Sequence, residues 1–243
     1  MTYVTYLYRT LYGLYAWVVF VVCVLFAFLA TLFVPTAPLR HKLAAAASRA
    51  IFILAGIPAD IRGLENIPDG NAVVVANHAS YVDGILLKGY LPYRFSFVIK
   101  GEMRNIPIVH FVLRRSGSNF VERHETTGST RDARKIVKAA QGGQSLAFFP
   151  EGTFAKEPGL GRFRAGAFVS AIKGDMPIVP IAISGTREML PAGRLWPWPV
   201  RPRFEVLPPI PTDDPTFESH RQLAEEARQR ILTVLHEPDL HSN

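Results

Sequence analysis

The chain has 243 residues, enough for one packed domain and an appendage but not for two ordinary enzymes. Hydrophobic residues make up 49% and charged residues 19%, a balance that excludes a disordered chain. The formal charge of +7 favours anionic partners such as phosphates or acidic lipid. Without a dense Lys/Arg run, zinc-finger spacing or an aromatic RNA-binding signature, nucleic acid is not the expected partner.

From Leu14 to Val34 run 21 residues without a charge, a proline or a glycine. As a helix this run is about 30 Å long, close to the thickness of a bilayer hydrocarbon core. Tyr3, Tyr6, Tyr8, Tyr12, Tyr15 and Trp17 crowd its start, as at a headgroup boundary, and Pro35 and Pro38 end it. A cleaved signal peptide is the competing reading, but the run is long, Arg9 alone precedes it and no small-x-small site follows. Cys23, the one cysteine, lies inside this run, so no disulfide or cysteine-built metal site forms within one chain.

Residues 38–57 place Leu39, Leu43, Ala46, Ala50 and Leu54 at helical spacing, with Arg40, Lys42 and Arg49 between them. The expectation is an amphipathic helix at the membrane interface or beside the first helix. Cations after the first helix, against Arg9 before it, predict an inner-membrane protein with its bulk on the cytoplasmic face. A first helix that enters one leaflet and turns back is the other possibility. Residues 1–57 are therefore expected to form an anchor and residues 58–243 a catalytic domain.

Beyond Gly56 the pattern changes to short apolar runs. Residues 72–76, 95–99, 118–121, 146–149 and 178–183 read as buried strands, and 203–207 as a late edge strand. Helices are expected over 130–140, 164–173 and 217–236, the last with Leu223, Ala227, Ile231 and Leu235 inward. Such alternation predicts an α/β fold, a mostly parallel sheet flanked by helices, behind an N-terminal membrane-anchoring helical motif.

Four segments carry candidate chemistry. Asn77-His78-Ala79-Ser80-Tyr81-Val82-Asp83 follows the strand 72–76, and a His at a strand end sits where open α/β sheets hold ligands. A turn between His78 and Asp83 brings a carboxylate to the imidazole, fixing its tautomer while the other nitrogen takes a proton from a hydroxyl. Ser80 and Asp83 also have capping-box spacing, a competing use for the carboxylate. Phe149-Pro150-Glu151-Gly152-Thr153 forces a tight turn at another strand end. Lys100 and Arg123 close two further strands and are placed to grip a phosphate. The fourth segment is Val179-Pro180-Ile181 through Ser184-Gly185-Thr186.

In this order and at these separations the segments resemble the four motifs of the 1-acylglycerol-3-phosphate acyltransferase family of glycerolipid acyltransferases, over roughly residues 60–190. Asn77–Asp83 matches its N-H-x-x-x-x-D motif and Phe149–Thr153 its F-P-E-G-T motif. The resemblance implies an α/β domain beside a helical membrane motif and transfer of a fatty acyl group to the sn-2 hydroxyl of lysophosphatidate. Acyl-CoA or acyl-carrier protein would be the co-substrate, with no cofactor and no metal. It implies His78 as general base, Asp83 as its orienter, Lys100 and Arg123 on the acceptor phosphate, and Glu151, Gly152 and Thr153 positioning the acceptor. Phe154 stands where the family often has Arg, which leaves the headgroup open to another lysolipid, whereas Phe120-Val121-Glu122-Arg123 in place of the family's F-I-D-R keeps the cation. A Ser/His/Asp lipid hydrolase using Ser80 or Ser184 and a non-catalytic lipid-binding protein are the rival readings. No G-x-S-x-G elbow is present.

Overall fold

The computed structural model describes residues 3–101, 105, 107–121, 126–153, 157–214, 217 and 219–241. A seven-stranded sheet runs in the order β1 (Asp60–Arg62), β7 (Arg203–Val206), β6 (Ile178–Ser184), β2 (Val73–Ala76), β5 (Leu146–Phe148), β3 (Ser96–Lys100), β4 (Asn119–Val121). β6, β2, β5, β3 and β4 are parallel; β7 is antiparallel to β6, and β1 is parallel to β7. Residues 203–207 therefore do not form an edge. β7 lies inside the sheet because β1, whose charged Asp-Ile-Arg carries no apolar signature, covers it through backbone pairing.

Alternation along the strands divides the core in two. Val73, Val75, Leu146 and Ile178 pack with Ile136 of α5 (Thr126–Gln141), Phe168 of α6 (Gly166–Lys173) and Leu223, Ala227, Ile231 and Leu235 of α8 (His220–Leu235). Val74, Ala76, Val179 and Ile181 face the other way, onto Leu86 and Leu87 of α3 (Asp83–Tyr90) and Phe52 of α2 (Ala37–Leu54). The inward face of α8 is the one its 3.6-residue period predicts.

The first helix, α1, spans Tyr3–Phe33, starting earlier than its uncharged run, and among the described residues it is the one helix long and apolar enough to cross a membrane. It does not stand apart. Trp17 Nε1 donates to Leu195 O at 2.8 Å and Trp196 Nε1 to Arg9 O at 3.1 Å, fixing its first half to the loop after α7 (Thr186–Met189). Gly13 is where Trp196 sits: a Cβ there would lie 2.2 Å from the indole nitrogen. Near its other end Phe28 packs on Phe111 of α4 (Pro107–Arg115), with ring centroids 5.5 Å apart. α1 packs against α2 and buries Gly13, Val19, Cys23 and Ala27, while Val4, Leu7, Leu11, Leu14, Val18 and Leu25 remain exposed.

α2 turns a different side inward from the one its leucines mark. Ala44, Ala45, Ala47 and Phe52 are buried, whereas Leu39 and Leu54 are exposed. Small residues let α2 lie close to both α1 and α3, and its exposed Leu39 and Leu54 add to the apolar surface that α1 leaves bare.

Candidate active site

β2 is followed by Asn77, whose buried amide clamps the neighbouring strand. Its Nδ2 donates to Ile183 O at 2.8 Å and its Oδ1 accepts Ile183 N–H at 2.7 Å. Both bonds fix the height at which the chain leaves the sheet, and so the place of His78.

The His78 Nδ1 lies 2.9 Å from Asp83 Oδ2. Asp83 is fully buried and its Oδ2 also accepts the backbone N–H groups of Ala79 at 2.7 Å and Ser80 at 2.8 Å. One oxygen thus closes the turn and meets the imidazole. The competition between capping and orienting does not arise. Ser80 is not the helix cap: α3 begins with Val82 as N-cap, and only the reciprocal half of a capping box, Ser80 N–H to the Asp83 carboxylate, is formed. Asp83 Oδ1 is buried without a hydrogen-bond partner. The His78 ring lies against Phe149, with centroids 4.1 Å apart and planes 16° apart.

Glu151, in the turn after β5, points back to the same place. Its Oε1 accepts His78 N–H at 2.7 Å and its Oε2 accepts Gly161 N–H at 2.9 Å. Burial pushes this carboxyl above the usual range, and the two amides oppose that shift. Gly152 has φ of 84°, a left-handed conformation suited to glycine, and its N–H closes the turn on Phe149 O at 3.0 Å. Thr153 is exposed. Farther along, Arg187 donates to Glu157 O at 2.9 Å and pairs with Glu237 at 3.2 Å, holding the loop after Glu151 against the C-terminal segment.

The structure thus brings His78, Asp83 and Glu151 together. Lys100 ends β3, where its backbone pairs with Val121 of β4. Arg123, like Phe154, lies outside the described residues. Ser80, the first nucleophile of the hydrolase reading, is fully buried and donates its hydroxyl to Leu190 O at 2.6 Å. Ser184 ends β6 opposite Arg203. Asn77 and Phe149 were assigned no task from the sequence. Their signal was position alone, Asn77 one residue from His78 and Phe149 two from Glu151.

An apolar pocket of about 310 Å³ adjoins the turn. Tyr81, Val82 and Ile85 form its catalytic side, and Tyr12, Trp17 and Phe20 of α1 close it. Among the described residues no cluster of three or more His, Cys, Asp or Glu is arranged to hold a metal ion.

The sequence profile of the family described as Acyltransferase matches residues 59–184, just over half of the chain. A chloroplastic 1-acyl-sn-glycerol-3-phosphate acyltransferase of Brassica napus is 35% identical over 136 residues, covering 55% of this chain and 39% of that protein. The 1-acyl-sn-glycerol-3-phosphate acyltransferase of Saccharomyces cerevisiae is 25% identical over 198 residues, 76% of this chain and 62% of that one. The chain thus spans less than two thirds of the length of either relative. In architecture it is similar to the crystal structure of the 1-acyl-sn-glycerophosphate acyltransferase PlsC from Thermotoga maritima, with a TM-score of 0.80, 23% identity and 95% of each chain covered.

Proposed function

The chain belongs to the acyltransferase family, and from that premise we propose that it transfers a fatty acyl group from a thioester donor to the free sn-2 hydroxyl of lysophosphatidate. The observation that carries the reading is the 2.9 Å contact between His78 Nδ1 and the buried Asp83 carboxylate at the end of a central strand. With Nδ1 directed to Asp83, Nε2 is the nitrogen that takes the proton from the acceptor hydroxyl. The oxygen attacks the thioester carbonyl, the C–S bond breaks, and the imidazolium returns its proton to the leaving thiolate. Asp83 stabilises the transient imidazolium. No acyl-enzyme is required.

Glu151 and Gly152 act here through the backbone: the carboxylate holds His78 and Gly161 in place, and the glycine shapes the turn. Lys100, which ends β3, and Arg123, two positions past β4 in the sequence, remain the proposed contacts for the acceptor phosphate. The apolar pocket beside Tyr81 and Val82 suits an alkyl chain. The Ser80 bond to Leu190 O weighs against the hydrolase reading.

Membrane attachment through α1 and α2 belongs to the same proposal. A helix tied to one domain near both ends lies along that domain, so α1 would enter the membrane from one side rather than cross it. Its bare apolar surface, with Leu39 and Leu54, would face lipid, with the domain on the cytoplasmic side.

A panel of acceptors with one labelled acyl-CoA, read by lipid mass spectrometry, tests the reading. Phosphatidate should be the chief product. Release of free fatty acid without any acceptor would instead identify a hydrolase.

A further inference from the structure

On the side of the sheet away from the α1–α2 hairpin lies an open cleft of about 860 Å³, between the loop after Glu151 and the first turns of α8. Its wall includes Glu151, Arg162, Arg164, His220, Arg221 and His241. Several arginines elsewhere in the domain meet carboxylates, Arg187 with Glu237, Arg203 with Asp60, Arg228 with Glu225 and Asp239, and Arg230 with Glu226, while Arg94, Arg194 and Arg201 donate to backbone carbonyls. Arg162, Arg164 and Arg221 form no ion pair among the described residues, and all three side chains are exposed. Glu225, the second acid of the wall, is given to Arg228 at 2.8 Å, which holds its carboxyl below the usual range. The cleft therefore presents a concentration of uncompensated positive charge.

Its placement is informative. The inner wall, Glu151, is one hydrogen bond from the His78 backbone. The apolar pocket lies on the hairpin side, against Tyr81 and Val82. His78 thus stands between an apolar pocket facing the membrane hairpin and a basic cleft facing water. A thioester donor with an alkyl chain at one end and a polyanion at the other matches that arrangement.

We propose that Arg162, Arg164 and Arg221 bind the phosphates of a coenzyme A donor, with the pantetheine arm running past Glu151 to bring the thioester to His78. The inference rests on the acyl-transfer reading, for which a CoA thioester is already an expected donor, and adds to it the residues that hold the donor's nucleotide. Guanidinium groups suit phosphate oxygens through paired N–H donors. An acidic carrier protein is the competing donor.

The test compares wild type with Arg162→Gln, Arg164→Gln and Arg221→Gln, singly and combined, on acyl-CoA, on the same acyl-pantetheine and on acyl-carrier protein. Equilibrium titrations with free CoA and with dephospho-CoA run beside the kinetics. The combined variant should lose about tenfold or more in kcat/KM on acyl-CoA, mostly in KM, and bind free CoA more weakly by a similar factor. On acyl-pantetheine, which lacks the nucleotide, its kcat/KM should stay within about twofold of wild type. An equal loss on acyl-CoA and acyl-pantetheine, no loss on either, or a loss confined to acyl-carrier protein overturns the proposal. If wild type transfers no acyl group yet binds CoA in an arginine-dependent way, the reaction reading fails and the cleft assignment stands. If transfer is normal and CoA binding ignores the arginines, the cleft assignment alone fails.

Discussion

The Glu151 carboxylate holds His78 by its backbone, Oε1 accepting the His78 N–H at 2.7 Å while Oε2 accepts Gly161 N–H at 2.9 Å. A carboxamide offers one acceptor oxygen where the two amides require one each. Glu151→Gln should therefore misplace the imidazole and lower kcat by about 10²-fold, with a smaller effect on KM. Burial raises the Glu151 pKa above that of an ordinary exposed glutamate, so the folded state binds more protons than the unfolded one just above the ordinary glutamate pKa. Its contribution to stability is then fully present below the unfolded pKa and lost as pH rises through the folded value. The variant should lack that fall, which melting curves across the acid range would reveal.

Asp83→Asn removes the charge that stabilises the imidazolium and leaves an amide facing three donors. We expect a loss of about 10²–10⁴-fold in kcat, the range associated with general-base help. Single-turnover kinetics with saturating acceptor would measure it.

Asn77→Ala should cost stability, because it leaves both Ile183 N–H and Ile183 C=O without their buried partner. About 2–4 kcal/mol is expected from two unsatisfied groups. Denaturant unfolding in a constant detergent would report it, and a change below experimental error would contradict the clamp.

Gly13→Leu should prise α1 from the domain, since a Cβ at this position already collides with the Trp196 indole. The variant should expose the loop at Leu195 to proteolysis and enlarge the apolar pocket. Cleavage rates unchanged from wild type would show that the helix is not held there.

Lys88 on α3 donates to Ser116 O at 3.0 Å, and burial depresses its pKa to about 8 from 10.5. The unfolded chain binds more protons between these values, so stability from this group is present above about 10.5 and lost as pH falls through about 8. Lys88→Met should flatten the dependence of the melting temperature on pH in that window.

Much of the fold was legible because burial and period agree. The run Ala72–Ala76 has no polar residue and becomes a strand buried on both faces, and Leu223, Ala227, Ile231 and Leu235 mark the inward side of α8 without ambiguity. β1 was invisible because Asp60-Ile61-Arg62 has one apolar residue between two charges and is held by backbone pairing to β7 and an Asp60–Arg203 ion pair, neither of which leaves an apolar pattern. That omission misplaced β7 as an edge. The leucines of α2 marked an apolar side, and Leu39 and Leu54 on it are exposed while its alanines are buried, because periodicity alone does not tell which side packs inward.

Within the site, the five-residue step from His78 to Asp83 was readable because a short turn makes the contact locally. The Glu151 bond to His78 was not, since it joins backbone to side chain across 73 positions, and nothing in a residue's identity announces a backbone partner. Phe149 escaped notice for the same reason: an aromatic at a strand end reads as core until a ring is found stacked upon it.

The most direct test of the central claim is thiol release from an acyl-CoA, measured with and without lysophosphatidate, for wild type and His78→Ala in the same membrane preparation. Wild type should release thiol only with the acceptor and form phosphatidate in equal amount. The variant should fall to background while keeping the wild-type melting temperature. Near-normal, acceptor-dependent release by the folded variant would contradict the account.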